Sequence, residues 1–253
     1  MADPLLLCAD QGEPITDKPN RELRLLCAHE LLTLSWFRYA EGECGADPHV
    51  HRVHSDGFYV LDGQITVRLG PEQEPVVATA GTLVLIPAGV VHSFDNDGPG
   101  EARFLNIHAP DGGFARYLRT REPFDSFEPP GEGGRPAADA IVTPPDGGER
   151  FQREDRAITI LGELPEISVF RLEVEPKWPG IGTHHHHDQV DTFFVLEGEA
   201  GLVRGDEVVQ AAAGSFYAAV PGTRHGVQNP GGRIVFLNVH GPDAGFAESI
   251  RRR

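Results

Sequence analysis

The 253-residue sequence contains the same passage twice. Phe104–Arg119 (FLNIHAPDGGFARYLR) aligns with Phe236–Arg251 (FLNVHGPDAGFAESIR) at an offset of 132 residues. Gly81–Asn96 aligns with Gly214–Asn229 at an offset of 133, and His49–Gly63 with His184–Gly198 at 135. A repeat of this kind is one structural unit made twice, and the slight drift in offset is the length variation that loops tolerate. Between the copies, Glu122–Arg150 contains FEPPGEGGRPAADA and TPPDGGER, the Pro, Gly and charge content of a connector. The expected organisation is an N-terminal barrel over 1–122, a Pro/Gly-rich linker over 123–139 and a C-terminal barrel over 140–253. Ala140–Val142 is a candidate strand or arm lying across a neighbouring copy.

Within each copy the apolar runs are short and rich in β-branched and aromatic residues: LLTLSWFRY, GFYVLDGQITVRL and TLVLIP in the first, ISVFRLEV, DTFFVLEGEAGLV and GSFYAAV in the second. Gly, Pro and Asp bound them, and the 30 glycines and 21 prolines work against long helices. Many short strands at regular spacing predict an all-β sandwich or barrel. A short helix should close each copy, with Phe114, Tyr117 and Leu118 on one face of the first and Phe246 and Ile250 on one face of the second.

A formal charge of −16 repels phosphate backbones, so nucleic acid is not an expected partner. No stretch is apolar for long enough to span a membrane, and the N-terminus lacks the basic and apolar regions of a signal peptide. Cys8, Cys27 and Cys44 are odd in number and have no paired spacing, which predicts reduced thiols and a cytoplasmic location. Arg251, Arg252 and Arg253 read as a solvated helix end complementing the helix dipole.

The histidines are patterned. His49 and His51 are two apart, so on a strand they project to one side. Asp56 opens the next strand, and a turn at Pro87 and Gly89 delivers His92. The second copy places His184, His186, Asp191 and His225 at the matching positions. His185 and His187 share the spacing of two, but the repeat assigns the inward role to 184 and 186 and turns 185 and 187 outward. Three imidazoles and a carboxylate form a coherent shell for a divalent transition metal, one per copy; imidazole suits Fe, Ni, Cu and Zn, and a carboxylate adds a preference for Mn or Fe.

The pattern HxHxxxxDxxxxxxG followed by GxxxxxPxGxxHxxxN closely resembles the two cupin signature motifs. The first copy fits both, from His49 to Gly63 and from Gly81 to Asn96; the second has Val220 where proline is usual, with Pro221 one place later. The resemblance covers both halves and implies a bicupin: tandem jelly-roll barrels like those of quercetin dioxygenases, oxalate decarboxylases and germin-related proteins. In that family the matching residues ligate Mn, Fe, Ni, Cu or Zn. The usual carboxylate is glutamate. Aspartate is one methylene shorter, which leaves direct, longer or water-mediated ligation by Asp56 and Asp191 open.

His54 reads as a solvated turn residue. Asn106 with His108, and Asn238 with His240, recur at matching places and read as structural, since the alternates Leu105 and Ile107 are the natural barrel fillers. Phe58, Val60, Phe193 and Val195 share the inward face with the aspartates and would wall an apolar pocket. The expected function is a metal-dependent oxidoreductase, a dioxygenase of a small aromatic or enolic substrate. The alternatives are a metal-dependent isomerase, lyase or decarboxylase of small acids or sugars, and a non-catalytic binding protein. Two barrels in one chain can also pack about a pseudo-two-fold, which is compatible with a homo-oligomer.

Overall fold

A computed structural model describes residues 5–122 and 134–252. The 123–133 part of the expected linker lies outside the described residues. The fold is all-β, as the repeat predicts: two jelly-roll barrels, each followed by one short helix. The compact units are Gly12–Gly147 and, for the second, Gly148–Arg253 together with Met1–Gln11.

In the first unit a seven-stranded antiparallel sheet runs, in spatial order, Ile141–Thr143, Leu83–Ile86, Ser55–Asp62, Ala102–Ala109, Leu32–Tyr39, Arg21–His29 and Glu13–Lys18. A three-stranded sheet of Glu74–Thr79, Gln64–Leu69 and His92–Asp95 faces it. The second unit repeats the order with Leu5–Cys8, Ser215–Ala219, Val190–Glu197, Ile234–Gly241, Ile167–Val174, Arg156–Leu164 and Glu149–Gln152. Its smaller sheet has Ile181–His184 at one edge, then His225–Gln228, Glu199–Arg204 and Glu207–Ala212.

Each large sheet is finished at one edge by a short strand from outside its own repeat. Ile141–Thr143 pairs with Leu83–Leu85, and Leu5–Cys8 pairs with Ser215–Ala218. An unpaired edge presents a row of unsatisfied backbone groups, and these arms satisfy them. The repeat extends to irregularities. A bulge between Leu25 and Cys27 recurs between Ile160 and Gly162, and one beside Val60 recurs beside Val195.

Register decides which residues face inward. Phe104 lies opposite Val60, Asn106 opposite Phe58 and His108 opposite Asp56; Phe236, Asn238 and His240 stand likewise to Val195, Phe193 and Asp191. Opposed residues share a face, so one face carries the apolar core and, at its end, the polar groups. Phe37, Phe58, Phe94 and Phe104 make that core in the first unit, with Phe37 and Phe104 stacked at 5.0 Å. Val174, Phe193, Val195, Tyr217 and Phe236 make it in the second.

The helices are Phe114–Thr120 and Phe246–Arg251. Phe114 and Leu118 are buried and Tyr117 is half-buried. Asp111 accepts the backbone N–H groups of Gly113 and Ala115, and Asp243 those of Gly245 and Ala247, which satisfies donors a helix start leaves over. Arg251 pairs with Glu149 and Glu163 and so ties the last helix to the sheet; Arg253 lies outside the described residues. No disulfide links the three cysteines. No helix among the described residues is long and apolar enough to cross a membrane.

Two glycines with nearly the same backbone test how tightly the barrel is built. At Gly180, φ is +91° and a Cβ would meet the Val227 carbonyl oxygen at 2.1 Å; at Gly214, φ is +88° with nothing within 4 Å. Gly214→Ala carries only the left-handed penalty, about 1–2 kcal/mol. Gly180→Ala adds a backbone collision and should cost roughly 3 kcal/mol or more. Urea unfolding of the two variants measures the difference; equal losses would contradict the packing described.

Candidate metal centres

The clusters form where two strand ends meet across a turn. His49 and His92 exchange both backbone hydrogen bonds, each at 2.9 Å. His184 lies opposite His225 on antiparallel strands in the second unit. The turn before His92 closes on the chain at His51, with the Gly89 N–H donating to its carbonyl at 2.8 Å; Gly222 does this for His186 at 2.6 Å. Two histidines spaced by two therefore stand beside a third on the neighbouring strand. Asp56 and Asp191, near the start of their strands in the large sheet, complete each set.

The structure brings His49, His51, Asp56 and His92 together, and separately His184, His186, Asp191 and His225, with one ligand atom from each member within 4.8 Å of all the others. The geometry is nearly superimposable. His49 to His51, His49 to His92 and His51 to His92 span 4.9, 4.2 and 5.1 Å between ring centroids. The second set spans 4.9, 4.3 and 5.2 Å. His185 and His187 are exposed, as the repeat predicts.

Backbone carbonyls aim the rings. His49 Nδ1 donates to the Asp47 carbonyl at 2.7 Å and His92 Nδ1 to that of Val90 at 3.0 Å. His184 Nδ1 donates to Gly182 at 2.9 Å and His225 Nδ1 to Thr223 at 3.0 Å. A carbonyl can only accept, so in a neutral ring Nδ1 carries the proton and Nε2 keeps its lone pair. That lone pair points at the cluster. His92 Nε2 then faces Asp56 Oδ2 at 3.2 Å, and His225 Nε2 faces Asp191 Oδ2 at 3.1 Å. These are two electron-pair holders that only a proton or a cation can join.

His186 Nε2 is shut off from solvent and has no hydrogen-bond partner among the described residues; Asp191 Oδ2 is 3.6 Å away. Such a donor set fits a divalent metal ion, and fixing a ligand ring through its other nitrogen is how metal sites orient imidazole. Burial holds His49 down at about 2, with the charges of His92 and His51 adding, and burial also lowers His184. Burial works to lower His225 too, but the hydrogen bond and charge of Asp191 outweigh it and raise it. Burial would raise Asp56 and Asp191, yet the surrounding imidazoles, His108 and His240 foremost, hold both carboxyls well below the usual range.

The second oxygen of each aspartate is held from behind. Asn106 Nδ2 donates to Asp56 Oδ1 at 2.5 Å, and Asn238 Nδ2 to Asp191 Oδ1 at 2.7 Å. His108 Nε2 stands 3.5 Å from Asp56 Oδ1, and His240 Nε2 3.1 Å from Asp191 Oδ1. The Asn–His pairs thus belong to the sites. Assigning Leu105 and Ile107 to the interior in their place is corrected by the register: those two project from the opposite face and are buried as well. His54 also departs from expectation. It is 1% exposed, stacks on His51 at 4.0 Å and lies 2.9 Å from His108 Nδ1, so it is no solvated turn residue. His51, His54 and His108 form a third close group. The second unit has Gln189 in that place, donating to the carbonyls of Pro242 and Asp243.

The cupin domain family matches residues 35–108 and 170–240, the two stretches that carry these clusters. The chain belongs to the cupin family. It is a two-domain cupin with one candidate metal site in each domain. Among solved structures, this bicupin is similar to a glyoxylate-induced protein from Pseudomonas aeruginosa, 18% identical with a TM-score of 0.64 over 88% of this chain and 82% of that one. Protein YlbA from E. coli is 13% identical, with a TM-score of 0.70 over 95% and 91%. Oxalate decarboxylase from Bacillus subtilis is 17% identical, with a TM-score of 0.63 over 96% and 78%. At these identities the likeness is one of fold. No match emerges among curated protein sequences.

The two sites should load independently. Elemental analysis of protein purified without chelator is expected to give about two metal ions per chain for the wild type and about one for His225→Ala. Asn238→Ala, which leaves the ligand candidates in place, should weaken retention at the second site about 10- to 100-fold. Full loading of His225→Ala would contradict the assignment.

Proposed function

We propose that this bicupin is a metal-dependent oxidoreductase of dioxygenase type, acting on a small organic substrate with an apolar body. The observation that carries the reading is the cavity of the second unit. His184, His186 and Asp191 line a space of about 380 Å³ whose walls include Phe170, Trp178, Phe193 and Phe246. The corresponding cavity of the first unit is about 170 Å³.

His184, His186, His225 and Asp191 would hold the cation. A bound Fe, Mn, Ni or Cu ion supplies Lewis acidity and a path for electrons. The protein's own part is positioning. Asn238 and His240 fix one oxygen of Asp191 so that the other faces the imidazoles. Imidazole ligates a cation through a neutral ring, so three rings and one aspartate would give the donor set a single negative charge. The aromatic walls exclude water and accept an apolar substrate against their faces.

A second reading is a metal-dependent lyase or decarboxylase of a small acid. The arginines Arg153 and Arg156 in the same cavity lining favour it. The oxalate decarboxylases that share the fold act on such an acid.

Oxygen-electrode measurements on protein loaded separately with Fe, Mn, Ni and Cu, using flavonols, catechol-like compounds and aryl acids, decide between these readings. Oxygen uptake with at least one metal, reduced about 100-fold or more in His186→Ala, is the expected result. Turnover that persists without oxygen would favour the lyase. No turnover with any metal would contradict both.

A further inference from the structure

Much of the lining of the two cavities corresponds. Arg21, Leu23 and Thr16 of the first match Arg156, Ile158 and Phe151 of the second, and the strand pairing agrees: Thr16 lies opposite Leu23, and Phe151 opposite Ile158. Gly45 and Gly180 match as well, each pressed against the carbonyl oxygen of its neighbouring strand, Phe94 in one unit and Val227 in the other. Against this correspondence one difference concerns what surrounds the matched arginine.

In the first unit Arg21 is already satisfied. Its guanidinium pairs with Glu43 at 2.5 Å, donates to the Cys44 carbonyl and lies over the Tyr39 ring at 4.9 Å. Glu43 is placed by a turn in which its N–H donates to the Ala40 carbonyl. The same turn exists in the second unit, where the N–H of Trp178 donates to the Glu175 carbonyl. Trp178 therefore stands where Glu43 stands, at the same offset of 135 residues that relates Arg21 to Arg156 and His49 to His184. The carboxylate that neutralises the first arginine is replaced by an aromatic wall, and Asp155, at the place of Asn20, pairs with the second arginine instead.

Arg156 pairs with its chain neighbour Asp155, its Nη1 donating to the two carboxylate oxygens at 2.8 and 3.1 Å. Arg153 joins it on the same tight turn, where the Arg153 N–H donates to the Arg156 carbonyl at 2.8 Å. Arg153 is exposed and has no ion pair among the described residues. Arg153 and Arg156 line the cavity beside its aromatic walls and the ligand set, while their turn neighbours Glu154 and Asp155 do not line it.

We propose that the second cavity selects an organic anion, a carboxylate carried on an apolar or aromatic body, with the carboxylate paired to Arg156 and Arg153 and the body against Trp178. This rests on the reading of the second cavity as the substrate site and names the class of substrate. Arginine is the side chain suited to it, because its planar fork meets a carboxylate through two parallel hydrogen bonds. The first cavity is smaller, its Arg21 is spent on Glu43 and its Arg121 lies over the Tyr117 ring, so it does not take such a ligand.

The probe is 4-fluorophenylacetate against its neutral isostere 4-fluorophenylacetamide. Binding is followed by ¹⁹F line broadening and by Trp178 fluorescence in a Trp36→Phe background, with the full chain both metal-loaded and chelator-treated. The expected result is a preference for the acid of about 10-fold or more that survives metal removal. Arg153→Gln with Arg156→Gln should abolish it, Arg156→Lys should restore part of it, and Trp178→Glu, read by ¹⁹F alone, should abolish it by recreating the neutralised arrangement. An undiminished preference in the double glutamine variant would overturn the proposal. So would a preference that vanishes with the metal, because the carboxylate would then be a metal ligand. None of these readouts depends on turnover, so failure of the oxidoreductase reading leaves a separate signature.

Discussion

The structure depends on a conflict placed inside each barrel: imidazole lone pairs and a carboxylate oxygen are turned toward one another. Two devices sharpen the conflict. Carbonyls two residues back take the Nδ1 protons of His49, His92, His184 and His225. Asn106 and Asn238 take one oxygen of each aspartate and leave the other facing the rings. Buried acceptors without donors are costly, so a cation is the natural resolution. The barrel is the scaffold that fixes four chain segments around that point.

Much of this was legible in the sequence, for identifiable reasons. Spacing of two on a strand is a statement about direction, so HxH places two rings together whatever follows. The repeat then resolved the run of four histidines, because only 184 and 186 keep the relation to Asp191 that 49 and 51 keep to Asp56. The Asn–His pairs and His54 were harder. Sequence alternation distinguishes inside from outside only when one face meets water. Here Leu105 and Ile107 are buried on one face while Asn106 and His108 are buried on the other. The recurrence of N-x-H at matching places was the available signal, and register against Asp56 is what gives it meaning. The arms at Leu5–Cys8 and Ile141–Thr143 pair over long sequence distances, which only the second was placed to hint at.

Duplication has left the two halves alike in framework and different in contents. Bulges, capping aspartates and histidine geometry are retained to within tenths of an ångström. The changes fall on and around the cavities: Glu43 against Trp178, His54 against Gln189, Thr16 against Phe151 and Tyr117 against Ser249. The first site is deeply buried and ringed by extra imidazole, with a small cavity. The second is more open, with half-buried His184 and His186 and a cavity of about 380 Å³. A framework under strict geometric constraint with variable walls is how one fold accommodates different ligands.

Zinc K-edge X-ray absorption on the zinc-loaded chain tests the central claim most directly, since it counts imidazoles around the ion without reference to activity. The account predicts an average shell of three imidazole nitrogens and at least one oxygen, with Zn–N at about 2.0–2.1 Å. A first shell made mainly of oxygen, with one imidazole or none per zinc, would contradict it.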